Sequence, residues 1–422
     1  MKDDNLSIVW EKAEGCRVYD VDGNEFIDFA SGLNVANVGH KNKKVVESIH
    51  KQSEKLIHGM GDFHTNNVKA DFLNKLASIS PIKDCKIITS VNGSDAVDSA
   101  MKTANLYTGK SKFISFYGAY HGMGPKSLEV TARHHFRDPY TKELNSNTIF
   151  LPYPYTYRPP FSNEININLD DQINLIINLI ESTISNTASG ANDIAAIIIE
   201  PIQGRGGVVQ APKEFMKSLR NLCDKYNILL IVDEILSGFG RSGEWFAINH
   251  SEVIPDIMTI GKGLSGGFPI SAMIGKKNIV DGAWSRFEGE SIHTSTFQGN
   301  PIGCAMSLAS IDYIIENDLI KASKEKGEYF INQLKNELSS YEIIGEIRGS
   351  GLMIGIEIVK NAHSKEPDPE KCWDMMRFAL NKGILLLNGG HEVNTICLTP
   401  PLTISKDEID YCIKILKEYI EL

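Results

Sequence analysis

The sequence contains no run of about 18 consecutive apolar residues, the length a helix needs to cross a bilayer, so no membrane span is expected. Its opening stretch, MKDDNLSIVWEKAEG, is acidic and lacks an apolar core, which argues against a secretory signal. Seven cysteines (Cys16, Cys85, Cys223, Cys304, Cys372, Cys397 and Cys412) are scattered without a CxxC pair. An odd, dispersed set in a long chain reads as reduced thiols in a cytoplasm and not as a disulfide framework. HExxH, EF-hand and paired CxxC patterns are also missing, so no metal is expected. Cations are outnumbered, 43 Lys and Arg against 53 Asp and Glu, for a net charge of −10. That balance opposes a broad electrostatic grip on nucleic acid. Neither an internal repeat nor a low-complexity linker interrupts the chain.

What remains is an ordinary enzyme-like composition, 42% apolar and 23% charged, in 422 residues, enough for two or more globular units. GCRVYDVDGNEFIDFASGLN alternates in polarity on either side of Asp22-Gly23, a hairpin signal. From about residue 66 helix-like segments alternate with short apolar runs: CKIITSV, KFISFYG, NTIFLPY, IAAIIIEP, ILLIVDE, IMTIG and ISAMIG. Several are continuous and β-branched, as strands buried on both faces of a mostly parallel sheet must be. After about residue 310 the pattern changes to IIGEIRG, GLMIGIEIV, ILLLNG and TICLTPP between helices, which reads as a smaller α+β domain. The N-terminal hairpin is too short to bury a core of its own and is expected to pack on that domain.

Chemistry-bearing residues recur at the ends of these strands. Lys262 follows a buried strand and precedes a glycine-rich turn. Desolvation there would lower its pKa from about 10.4 and make it a Schiff-base nucleophile; alone it could equally be a solvated lysine. Asp233 closes ILLIVDE, at the carboxyl end of a strand, where open α/β sheets bind ligands, or else it caps a helix. Asn92, Gly93 and Ser94 lie between a strand and an amphipathic helix, where free amides and a hydroxyl suit a phosphate, unless Ser94 merely caps the helix. Tyr120 and His121 follow a further strand, and the tyrosine could stack on a planar ring or sit at a core rim. Glu200 ends IAAIIIEP. Together these groups offer a phosphate cradle, a stacking ring, a carboxylate for a pyridinium nitrogen and an amine, the set that pyridoxal 5'-phosphate requires.

The motifs NGSDAVDSAMK, YGAYHG, IIEPIQG, VDEILSGFGRSGEWFA, PDIMTIGKGLSGGFPISA and HTSTFQGNPIGCA occur in that order, between RVYDVDGNEFIDF and LTPPLTIS. In them the chain resembles the class III (ornithine/4-aminobutyrate-like) pyridoxal-phosphate-dependent aminotransferases of fold type I, over nearly its whole length. The resemblance implies an α/β fold: a large domain (59–310) with a mostly parallel seven-stranded sheet between helices, a small α+β domain (311–422), and an N-terminal segment (1–58) packed on the latter. It implies Lys262 as the Schiff-base lysine, Asp233 on the ring nitrogen, Gly93 and Ser94 on the phosphate, and Tyr120 on the ring. His121 and Glu200 would lie near the cofactor. Thr296 would reach the phosphate of a neighbouring subunit, making a homodimer with shared active sites. The implied activity is ping-pong transfer of an amino group from a small-molecule amine or amino acid donor to a keto acid or aldehyde acceptor.

Three positions depart from that family. Leu236 stands where many members have Gln near the cofactor. Arg205 stands where amino-acid-specific members often have Glu. Cys397 replaces the usual substrate-carboxylate arginine before the PPL segment. Arg205 is therefore the candidate for a relocated anion site, unless one bound substrate lacks a carboxylate near the reacting carbon. The plainer alternative is an ion pair of Arg205 with a local Asp or Glu. FLPYPYTYRPP and NTICLTPPLTIS also resemble segments of class III racemases and epimerases, which carry an acid at the place of Arg205. A racemase, epimerase or aminomutase using the same lysine is thus the competing reading. A binding protein on this fold would not need the lysine, aspartate and phosphate cradle together.

Overall fold

The computed structural model describes residues 7–61, 63–145, 147–161, 168–284 and 292–422; residues 1–6 of the opening stretch lie outside them. Three strands come first, β1 (Trp10–Glu14), β2 (Arg17–Asp20) and β3 (Glu25–Asp28). Next are β4 (Cys85–Ser90), β5 (Lys112–Phe116), β6 (Thr148–Leu151) and β7 (Ile194–Ile199), then a short antiparallel pair, β8 (Ile202–Gln203) and β9 (Val209–Gln210). β10 (Leu229–Asp233), β11 (Ile257–Ile260) and β12 (Ser271–Lys276) follow. All seven apolar runs read as strands enter one sheet of order β4-β12-β11-β10-β7-β5-β6. Six point the same way; only β12 runs antiparallel to its neighbours, so the sheet is mixed and mostly parallel.

The continuous apolarity of β7 and β10 has a direct cause. Ala196, Ile198, Leu229 and Ile231 pack with Val97, Ala100 and Met101 of the helix Gly93–Thr108. Ile197, Ile199, Leu230 and Val232, alternating with them, pack with Phe215, Leu219 and Cys223 of the helix Lys213–Tyr226. Both faces are covered, so a polar residue has no place on either. The polar residues collect instead just beyond the strands' carboxyl ends.

The C-terminal part adds β13 (Ile344–Ser350), β14 (Met353–Ile358), β15 (Ile384–Leu385), β16 (Leu387–Gly389) and β17 (Thr395–Leu398). β13-β14-β17-β16 form an antiparallel sheet. ILLLNG, expected as one strand, is two. Ile384 and Leu385 pair in parallel with Ile27 and Asp28, whereas Leu387–Gly389 pair with β17. The buried Leu386 marks the crossing between two sheets, and because both bury their strands the run stays apolar throughout. Through β15 the expected β2–β3 hairpin joins the C-terminal part in a sheet β1-β2-β3-β15. Its turn is held by Asp20, whose carboxylate accepts the Asp22 and Asn24 amides at 3.0 and 2.8 Å. The change of pattern near residue 310 falls within one helix, Pro301–Glu316, which is buried along most of its length. Among the described residues no helix is long and apolar enough to cross a membrane.

Candidate active site

The parallel strands deliver their chemistry to a single edge. After β4, Asn92 accepts the Asp95 amide at 3.1 Å, so Asn92 and not Ser94 caps the helix Gly93–Thr108. Ser94 is thereby released. Its Oγ accepts the amides of Met123 (3.1 Å) and Gly124 (3.4 Å) from the loop after β5. Gly122, between them and the strand, has φ +128°, and a Cβ there would overlap Ser94 Oγ, so a side chain would close this cradle. The first amides of the long helix and its dipole make the cradle attractive to an anion.

Asp233 ends β10, fully surrounded. Its Oδ1 accepts the Ile235 amide (3.0 Å) and the Thr259 hydroxyl (3.1 Å), and its Oδ2 accepts His121 Nδ1–H at 2.7 Å. His121 Nε2 is buried without a hydrogen-bond partner among the described residues. Glu200 tethers two loops, accepting the Tyr120 and Gly204 amides at 3.0 Å each. Burial raises its pKa, with the charge of Asp233 adding and His121 opposing. Lys262 leaves β11 with φ +43°, a left-handed conformation that costs a lysine about 1–3 kcal/mol and is typical of functional sites. Burial lowers its amine from 10.5 to about 8, against the pull of Asp233 and Glu200 and with the help of Arg205.

Two adjoining cavities meet here. One, of about 220 Å³, is lined by Gly93, Ser94, Tyr120, His121, Asp233 and Lys262 among others. The second, of about 180 Å³, shares Tyr120, Arg205, Leu236 and Lys262 with the first and extends to Cys397. Burial pushes the Cys397 thiol up to about 11, so it is neutral and cannot replace a guanidinium. Thr296 lines neither cavity and is exposed. The sequence-predicted residues are thus brought together in one protomer with that one exception.

Arg205 occupies the turn between β8 and β9, its guanidinium 6.0 Å from the Tyr120 ring. Among the described residues no carboxylate lies within 4.0 Å of it, so the local ion pair considered above does not form. The turn itself is firmly held. Arg348 donates from Nε (3.0 Å) and Nη2 (2.6 Å) to the Gly207 carbonyl, while Nη2 also meets Glu357 at 2.7 Å. Although burial works against ionising Glu357, Arg348 and its other partners draw it down to about 2. Arg133, which sequence reasoning missed, donates to the Arg205 carbonyl at 2.9 Å; nothing in TARHHFR signalled it, because the contact spans 72 residues. Asn34, Asn388 and Thr399, also missed, line the second cavity.

The family model Aminotransferase class-III matches residues 1–420. The chain belongs to the class-III aminotransferase family. It is 37% identical over 405 residues, 96% of this chain and 88% of that protein, to the leucine/methionine racemase of Thermococcus litoralis. It is 36% identical over 411 residues, 97% of this chain and 91% of that protein, to the acetylornithine aminotransferase of Methanosarcina mazei. An amine transaminase from an uncultivated Pseudomonas species, solved in its PLP-bound form, superposes with a TM-score of 0.91 at 30% identity, covering 98% of this chain and 95% of that one. Class-III aminotransferases depend on pyridoxal phosphate, and this chain is an aminotransferase of that kind. The first cavity fits the cofactor: it offers an anion cradle that a Cβ at Gly122 would fill, a tyrosine at its wall and a buried carboxylate at its floor.

Proposed function

We propose that this class-III aminotransferase moves an amino group from an amine or amino acid donor to a keto acid or aldehyde acceptor by a ping-pong mechanism, with Lys262 and Asp233 as catalytic residues. The observation that carries the proposal is that Lys262, Asp233, Tyr120 and Ser94 line one cavity, which shares Tyr120, Arg205, Leu236 and Lys262 with a second, suited to a substrate. Pyridoxal phosphate, when bound, supplies an electrophilic aldehyde and a ring able to take up an electron pair from the substrate. Gly93 and Ser94 would hold its phosphate, Tyr120 its ring face, and Asp233 its ring nitrogen. His121 orients Asp233, and Glu200 fixes the loops that carry Tyr120 and Arg205. Lys262 Nζ is the amine that binds the aldehyde and moves the proton released at the substrate's Cα. Arg205 is the anion locus for the substrate. A half-reaction with candidate donors, followed by the absorbance change as the cofactor takes up the amino group, tests the proposal. No such change with any amine or amino acid would refute it.

The racemase relatives favour a second reading, Cα inversion with the same lysine. Deuterium incorporation at Cα of a recovered amino acid, without amino transfer to any keto acid, would replace transamination by racemisation.

Lys262 carries a pH prediction. Its amine must be neutral to react, and a depressed pKa shifts the neutral form to lower pH. Capture of cofactor by apoenzyme should accelerate about ten-fold per pH unit below pH 8 and level off above it. A rate still climbing at pH 10 would show an undepressed lysine.

We also propose a homodimer, in which Thr296 serves the partner's phosphate. Support comes from exposed apolar side chains on two segments that meet, as His58 against Phe297 and Asn300 donating to the Ile57 carbonyl show. Phe297, Met60 and Phe63 are 60, 59 and 72% exposed, a cluster of the kind that marks a partner surface. Sedimentation should give a dimer, with an interface above about 2,000 Å². An active monomer at assay concentration would contradict it. The divisions at 58/59 and 310/311 are proposed as domain boundaries, and the seven unpaired thiols support a cytoplasmic setting.

A further inference from the structure

The second cavity contains polar groups that the chain leaves unsatisfied. Asn34 Oδ1, Asn388 Nδ2 and Thr399 Oγ1 are buried without a hydrogen-bond partner among the described residues, and all three residues line this cavity beside Arg205. Asn34 is only 8% exposed and Thr399 2%. Native interiors seldom leave such atoms unmet, so three around one cavity point to a ligand that completes them.

The backbone has been bent to place one of them. Ser31, Gly32, Leu33 and Asn34 have φ of 47°, 55°, 68° and 66°, a left-handed turn that side-chain-bearing residues resist. Asp28 holds the turn by accepting the Ala30 (2.9 Å) and Gly32 (2.8 Å) amides, and Ser31 Oγ donates to the Thr399 carbonyl at 2.6 Å. Asn388 is coupled to the arginine from the other side, because Gly390, two residues on, donates its amide to the Arg205 carbonyl at 3.0 Å.

The remaining wall is apolar, with Leu33, Val208, Leu236, Met353 and Leu387, and its cations are Arg205 and Lys262. We infer that this cavity is a substrate subsite for a monocarboxylate amino acid with a small apolar side group. Arg205 holds the carboxylate, Asn388 Nδ2 and the Thr399 hydroxyl donate to it, and Asn34 Oδ1, an acceptor, takes a hydrogen bond from the N–H of the amino acid. The inference rests on the reading of Arg205 as the anion locus and names the residues and substrate class that complete it. An ionised carboxylate is acceptor-only with about four lone-pair sites, more than one guanidinium edge satisfies, and neutral donors fill the rest. With Lys262 assigned to the reacting end, the described residues of this cavity offer no cation for a second carboxylate. Its 180 Å³ is about six water volumes, which limits the side group to a few carbons.

The test is calorimetric titration of the holoenzyme with 4-methylpentanoate, which has no amino group and cannot react, and with glutarate. Wild type should bind 4-methylpentanoate at least about ten-fold more tightly than glutarate, while Thr399→Val and Asn388→Asp, both near-isosteric, should each weaken it about ten-fold or more. Thr399→Ser should restore binding, which a purely packing role would not predict. If Arg205→Ala abolishes binding but Thr399→Val and Asn388→Asp leave it unchanged, the subsite is overturned and the Arg205 reading survives. Binding indifferent to Arg205→Ala removes both. Tighter binding of glutarate overturns the apolar substrate class.

Discussion

Lys262→Ala should lose turnover by at least about 10⁴-fold, because it removes the only amine that the described residues place at the junction of the two cavities. The expectation rests on position as much as on residue type. β11 stays buried up to Ile260, and the chain then turns through Gly261 into a left-handed lysine. That geometry delivers Nζ to the edge where β4, β5, β7 and β10 also end. Burial has already lowered the amine to about 8, so about a tenth of it is neutral at pH 7, far more than for a lysine left at 10.5. The cradle of Ser94, the Asp233–His121 pair and the Glu200 tethers are held by hydrogen bonds in which Lys262 takes no part. The variant should therefore fold and hold cofactor non-covalently. Purified Lys262→Ala, reduced with borohydride and then unfolded, should release all of its cofactor; a pyridoxyl group left covalently on the polypeptide would sink the assignment.

β7 and β10 were the most legible strands of the main sheet, because burial on both faces forces an almost unbroken apolar run, and such runs stand out without any knowledge of pairing. The other five carry a Lys, Ser or Thr and were legible as short, largely apolar segments between helices. The strand-end residues were legible for the complementary reason, since the first polar residue after such a run must lie at the sheet's edge. What the sequence hides is whatever depends on distant segments. Asp233 and His121 are 112 residues apart, and no local pattern says that they share a proton. Ser94 looked like a helix cap, but Asn92 two residues earlier already fills that role, and only the fold shows Ser94 meeting the loop after β5. ILLLNG splits between two sheets with no change of polarity at the crossing. Arg205 could be flagged as unusual, but its lack of a counter-charge is a property of its surroundings. The unmet Asn34, Asn388 and Thr399 come from three separate segments, and a hydrogen bond that is not made leaves no mark on sequence.

Asp233→Asn should reduce kcat by about 10²–10³-fold, the usual effect of removing one preorganised charge from a reaction centre. The substitution is nearly isosteric but not neutral in its hydrogen bonding. Oδ1 accepts two donors, the Ile235 amide and the Thr259 hydroxyl, so the asparagine oxygen is best kept on that side. Its NH₂ then faces His121 Nδ1, which must accept, and the imidazole proton moves to Nε2. That atom is buried without a partner, so the exchange strands a donor in the interior as well as deleting a charge. Cofactor should still bind through the Ser94 cradle, and the loss should fall on the proton-transfer step measured by single turnover. A second consequence separates this role from a general loss of structure. Asp233 raises the Lys262 pKa against the lowering effect of burial, so without its charge the amine should become neutral at still lower pH. The midpoint for cofactor capture by the apo variant should move below pH 8 while its turnover falls. A rising midpoint, or single-turnover rates near wild type, would remove Asp233 from the reaction.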